Sequence, residues 1–236
     1  MSLTATAAFA LLQLPGVEAP DLSFGEQMVQ MWEDGGWMMW PLGLCAVVGI
    51  IVIVWKLVDL SVKSARTSKV LRQVDALLSE HKVAEALNVA RDSNTPAGRI
   101  LSAGLSRRDE GTDRVMKSIE NVGLIEMAQL ERGLIILATL ANVAPLLGFL
   151  GTVIGMIAAF QAIETAGEVE ATLVAGGIKI ALITTATGLV IAIPINVMHN
   201  YFVTRIDRLV IDMEESAQKM IDTLHEMERG AAPVRR

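Results

Sequence analysis

The sequence predicts an all-α membrane protein with three transmembrane helices, the second and third extended into a cytoplasmic helical bundle. Three observations predict it. Residues 35–55 carry no charge over 21 positions, residues 133–163 carry none over 31, and Lys179 is the only Lys, Arg, Asp or Glu between Ala171 and Thr204. A bilayer core of roughly 30 Å needs about 20 helical residues, so each run is long enough to span it. Transmembrane β-strands alternate polar and apolar residues, which these runs do not. With 52% hydrophobic residues and a mean hydropathy of +0.47, the chain carries more apolar surface than one soluble core hides.

The elements are expected in the following order. Residues 1–36 form a periplasmic N-terminal segment lying near the membrane surface, with Trp32, Trp37 and Trp40 as interfacial anchors. A signal-peptide cut after Val17-Glu18-Ala19 is disfavoured, because no positive stretch precedes it and Pro20 would follow it. Residues 37–57 form the first span, a lipid-facing anchor rich in Val, Ile and Leu. Residues 58–132 form a cytoplasmic helical domain: one helix over Lys63–His81, one over Lys82–Arg91, and one opened by Thr95 as N-cap and Pro96 at the first helical position. Asp109-Glu110-Gly111 breaks that third helix, and Thr112 starts a long one.

No proline interrupts the stretch from Thr112 until Pro145, so a single helix of about 78 Å is expected to run on to Ile163, carrying the second span (133–163) with it. A periplasmic loop, 164–173, leads to the third span, 174–199, and a cytoplasmic C-terminal helix over 200–236. In that helix Ile206, Val210, Met213, Ala217, Met220, Leu224 and Met227 alternate spacings of four and three. Such a stripe needs partner helices, from other copies of the chain or from the 112–132 extension.

Charge sets the orientation. Of the 20 Lys and Arg residues, twelve lie in 61–132 and six in 205–236, with none in 1–55 or in the loop 164–170. The positive-inside rule then places both basic regions in the cytoplasm and the N-terminus outside. A net charge of −6 argues against a nucleic-acid partner. Cys45 is the one cysteine, which excludes an internal disulfide and a multi-cysteine zinc site. His81, His199 and His225 are scattered with no metalloprotease or nucleophile-elbow spacing, so no enzyme, cofactor or metal is expected.

The polar groups within the spans carry the functional information, because lipid-facing helices need none. In the second span Ala138, Asn142, Pro145, Phe149, Thr152, Met156 and Ala159 form one stripe, flanked by Thr139. The third span places Thr184, Thr185 and Thr187 together, followed by Gly188 and Pro194. Gly148, Gly151 and Gly155 leave room for a neighbouring backbone, and the two prolines are candidate kinks. Counted from the outer ends of their spans, Thr152 and Thr185 both lie roughly 16 Å deep, near mid-membrane. The alternative for each threonine is a simple bond to its own helix's carbonyl. No Asp or Glu lies within any span, so a conducting path would need a carboxylate from a partner.

The segment Ala144-Pro-Leu-Leu-Gly-Phe-Leu-Gly-Thr-Val-Ile-Gly155, followed by Met156 and Phe160, resembles the second-helix signature of the MotA/TolQ/ExbB proton channel family. Gly177-Ile-Lys-Ile-Ala-Leu-Ile-Thr-Thr-Ala-Thr-Gly-Leu189 with Ala192-Ile-Pro194 resembles its third-helix signature. The resemblance implies an ExbB/TolQ-like homopentamer in the bacterial inner membrane, surrounding an ExbD/TolR-like single-span partner that carries a membrane aspartate. It also implies a TonB-like energy transducer as a further partner, and pore-facing roles for Thr152 and Thr185. The implied work is ion-driven energisation of outer-membrane transport or envelope processes. A non-conducting scaffold and a MotA-like flagellar stator are the competing readings. Ile180 stands where many members have glutamate; beside it, Lys179 either snorkels to the headgroups or sits at the mouth of the path.

Overall fold

The computed structural model describes residues 24–167 and 170–231. The disfavoured cut after Ala19 lies outside them. Among the described residues there are seven α-helices and no strand. These are α1 (Phe24–Asp34), α2 (Met39–Ser79), α3 (Val83–Asp92), α4 (Pro96–Leu105), α5 (Thr112–Glu131), α6 (Leu134–Ala166) and α7 (Ala171–Ala231). Short 3-10 turns at Gly36–Met38 and Arg108–Glu110 precede α2 and α5.

Among the described residues, three helices are long and apolar enough to cross a membrane. The apolar run of α2 continues without a break into its polar half, so the helix expected separately over Lys63–His81 is the same 41-residue helix as the first span. Nothing between Gly49 and Ser79 stops it, as the stretch holds no proline or glycine. His81, at φ 57, ends the run. At 61 residues α7 is unbroken despite Pro194 and measures about 90 Å.

The single helix expected over 112–163 is two helices. Arg132 is extended (φ −55, ψ 126) and Gly133 is left-handed at φ 93, which ends α5 and starts α6. Two neighbours from α2 fill this elbow. Lys56 Nζ donates to the carbonyls of Leu130 at 2.5 Å and Arg132 at 3.0 Å. The Trp55 ring stands 3.1 Å from where a Cβ on Gly133 would be, so a larger residue would be crowded as well as strained.

The polar halves of α2 and α7 close a bundle with α3, α4 and α5. Its core includes Val74, Leu101, Leu105, Leu130, Phe202, Ile206 and Met220, all buried. Of the heptad stripe, Ile206, Met213, Ala217 and Met220 are buried and Val210 and Leu224 are half-buried, so the stripe is largely used within the chain. Thr95 caps α4 by accepting from the Gly98 backbone N–H at 3.1 Å. Arg99 reaches from α4 to α5 in a two-pronged ion pair, its Nε and Nη2 each 2.5 Å from an oxygen of the buried Glu126.

Candidate ion-path site

The site is the hairpin of α6 and α7. Its two backbones meet through a ladder of small residues running in opposite directions. A Cβ on Gly148 would lie 2.9 Å from the Thr184 carbonyl, one on Gly151 would overlap the Thr184 side chain, and one on Gly155 would lie 2.7 Å from the Gly177 carbonyl. Gly188 closes the ladder against the Ala144 carbonyl at 2.7 Å. Side chains at these positions would push the helices apart, which is why the sequence keeps glycine in helix interiors where its propensity is poor.

Within this frame the polar groups divide into two sets. Thr184 is fully buried, and its Oγ1 lies 3.0 Å from the Ile180 and Ala181 carbonyls of its own helix. Thr185 points across the hairpin, donating to the Gly148 carbonyl of α6 at 3.2 Å. Thr187 donates back to Ile183 at 2.8 Å. On α6, Thr152 donates to the Phe149 carbonyl at 2.6 Å, Thr139 to Ile135 at 2.7 Å and the Asn142 amide to Ala138 at 2.8 Å. Every one of these donors therefore has a backbone partner, and Thr185 alone among them ties the two helices together.

The expected α6 stripe lies mostly on the side of the hairpin that the chain leaves open. Thr139, Asn142 and Phe149 are exposed and Thr152 is half-buried, while Ala159 is buried against Gly177. Pro145 is half-buried within α6, and Pro194 is exposed within α7. Thr185 is bonded to Gly148, one helical turn from Thr152 along α6.

A hydroxyl that donates its proton to a carbonyl still presents oxygen lone pairs. Thr152 and Thr185 are thus held as acceptors, suited to water, a cation or the proton of a carboxylic acid. They are poor proton exchangers themselves.

Lys179 sits at the far end of the hairpin. Its Nζ lies 2.5 Å from Oδ2 of Asp34, the last residue of α1, so its charge is met within the chain. Sequence reasoning missed both this acid and the buried Lys56. Each pairs with a group more than 70 residues away, and only the acidic end of α1 and the single cation flanking the first span were visible in the sequence.

The MotA/TolQ/ExbB proton channel family matches residues 92–215, which run from the end of α3 through the hairpin and into the bundle half of α7. The chain is 31% identical over 202 residues to an ExbB homolog of Methanothermobacter thermautotrophicus described as a biopolymer transport protein, covering 85% of this chain and 71% of the relative. It is 32% identical over 167 residues to the Tol-Pal system protein TolQ of Haemophilus influenzae, covering 65% and 72%. It is 34% identical over 183 residues to an ExbB-like biopolymer transport protein of Synechocystis, covering 74% and 71%. Three long apolar helices and these relatives together describe a multi-pass inner-membrane protein of channel and transport type, ExbB/TolQ-like in sequence. The chain belongs to the MotA/TolQ/ExbB proton channel family.

Proposed function

We propose that this chain is the ExbB/TolQ-like subunit of an ion-motive-force-driven motor, assembled as a homopentamer around an ExbD/TolR-like single-span partner. The observation that carries the reading is a hairpin whose open side presents Thr139, Asn142 and Thr152, in spans that hold no Asp or Glu. Polar groups facing lipid would be costly, so this side needs a protein or water neighbour. Threonine oxygens fixed as acceptors suit a protonated carboxyl, and the partner's membrane aspartate supplies one.

In this scheme the aspartate binds a proton from the outer side, turns past Thr152 and Thr185 while neutral, and releases the proton inward. The cycle moves one assembly relative to the other, and the work passes to the envelope through a TonB-like transducer or an equivalent. One charge crossing 100 mV releases about 2.3 kcal/mol, enough to bias each step. The bias of Lys and Arg toward 61–132 and 205–236 supports an outside N-terminus and an inside C-terminus.

The test is proton flux in vesicles containing the chain and its partner. Thr152→Val and Thr185→Val should each lower flux by about tenfold or more while the complex still isolates with wild-type stoichiometry. Unchanged flux in both would overturn the motor and favour a scaffold.

A further inference from the structure

Lys179 is the one charged residue between Ala171 and Thr204, about 12 Å along α7 from its first residue. A cation in such a segment is expected to have a functional partner. That partner, Asp34, belongs to none of the three spans. It ends α1, which is joined to α2 by a short turn with Gly36 at φ 67.

Two residues before Asp34, Trp32 is anchored elsewhere. Its ring meets Trp40 edge-on at a centroid distance of 5.7 Å and fills the space beside Gly43, where a Cβ would overlap it. Helix α1 is therefore fixed at two points less than one turn apart: an aromatic contact on α2 and an ion pair on α7. Direct contacts of α2 with α7, such as Gly49 against Ile195, lie further along α7, 16 residues from Lys179 in that case. The ion pair thus adds a tie to α7 that runs through α1.

We propose that Asp34 and Lys179 form an ionic latch that positions the α1 end of the threonine-bearing hairpin. The latch fixes the first turns of α7, and it neutralises an ammonium that would otherwise stand alone in an apolar helix. Both residues are positioning residues. An ammonium–carboxylate contact gains strength where water is scarce, so the tie is strongest with the surrounding helices in a bilayer.

The test uses the full chain with its partner in lipid nanodiscs, in three variants: Asp34→Asn, Lys179→Met, and the exchange Asp34→Lys with Lys179→Asp. Amide hydrogen exchange over residues 24–34 and 171–182 reads the latch directly. Proton flux reads its consequence and rests on the function proposed above. Each single variant should speed exchange in both segments by about tenfold, lower flux several-fold, and leave the complex assembled. The exchanged pair should restore both readouts. Unchanged exchange in the single variants, or an exchanged pair no better than either of them, overturns the latch. Faster exchange with unchanged flux overturns the positioning role. A wild type without flux defeats the motor reading alone, since exchange still decides the latch.

Discussion

Lys56 Nζ stands 2.5 Å from the carbonyl oxygen of Leu130, 74 residues away, and Lys56 as a whole is 1% exposed. With the second bond to Arg132, one side chain of α2 satisfies carbonyls that the end of α5 leaves without intrahelical partners. A positive charge at a helix C-terminus also meets the negative end of its dipole. The elbow between α5 and α6 is therefore built by three residues acting together: Gly133 for the turn, Lys56 for the carbonyls and Trp55 for the cover.

Lys56→Met keeps the length of the side chain and removes the donor. It should destabilise the protein by about 1–3 kcal/mol, the usual cost of stranding buried acceptors. Thermal melting in detergent checks the loss. A limited-proteolysis site newly exposed near 130–134 would localise it, and an unchanged melting temperature with an intact elbow would refute the role of Lys56.

Glycines on α5 and α6 should respond oppositely to alanine. At Gly151 a Cβ overlaps the Thr184 side chain, which is fully buried. Gly151→Ala should cost about 1–3 kcal/mol by overpacking. At Gly123 a Cβ meets nothing within 4 Å. Gly123→Ala should instead stabilise α5 by about 0.5–1 kcal/mol through helix propensity. Parallel melting curves of the two variants decide the matter, and a shared sign would mean the ladder is not tight.

Much of this was legible because it is local or periodic. The uncharged runs marked the three long helices, and the spacing of Gly148, Gly151 and Gly155 marked a face with room for a neighbouring backbone. Thr95-Pro96 marked the start of α4. The elbow was not legible: a glycine in an apolar helical pattern is usually tolerated, and the groups that complete the break at Gly133, Lys56 and Trp55, lie far away in sequence. The same holds for Lys179, whose partner Asp34 lies 145 residues earlier. Proline and periodicity report on neighbours along the chain, and an ion pair between distant helices leaves no trace in either. Depth and the family resemblance singled out Thr185, yet nothing in the sequence distinguishes its bond to Gly148 from the internal bonds of Thr184 and Thr187.

The Arg99–Glu126 pair should be sensitive on the acidic side. Glu126 is 2% exposed and both its oxygens are engaged, whereas Arg99 is partly in water and also donates to Asn94 at 3.2 Å. Arg99→Met strands a buried carboxylate and should cost about 3 kcal/mol. Glu126→Gln keeps one acceptor and should cost less, about 1–2 kcal/mol. Chemical denaturation of the two variants checks the order, and equal losses would show that the carboxylate is reached by water.

Asp75 gives a pH dependence of opposite sign to most carboxylates. It lies on the bundle half of α2 beside Lys219 and Glu215 of α7. Burial pushes its carboxyl above the ordinary value, opposed by Lys219 and reinforced by Glu215. A folded-state pKa above the unfolded one means the folded protein holds this proton more tightly. That contribution is fully present below the unfolded pKa and is lost as pH rises through the folded one. At neutral pH the ionised group is therefore a burden, kept below about 1 kcal/mol by its partial exposure to solvent. Asp75→Asn should raise the melting temperature at pH 7 and lose that advantage at pH 3, where the wild-type carboxyl is protonated. A variant less stable than wild type at pH 7 would mean that the attraction of Lys219 outweighs burial at this site.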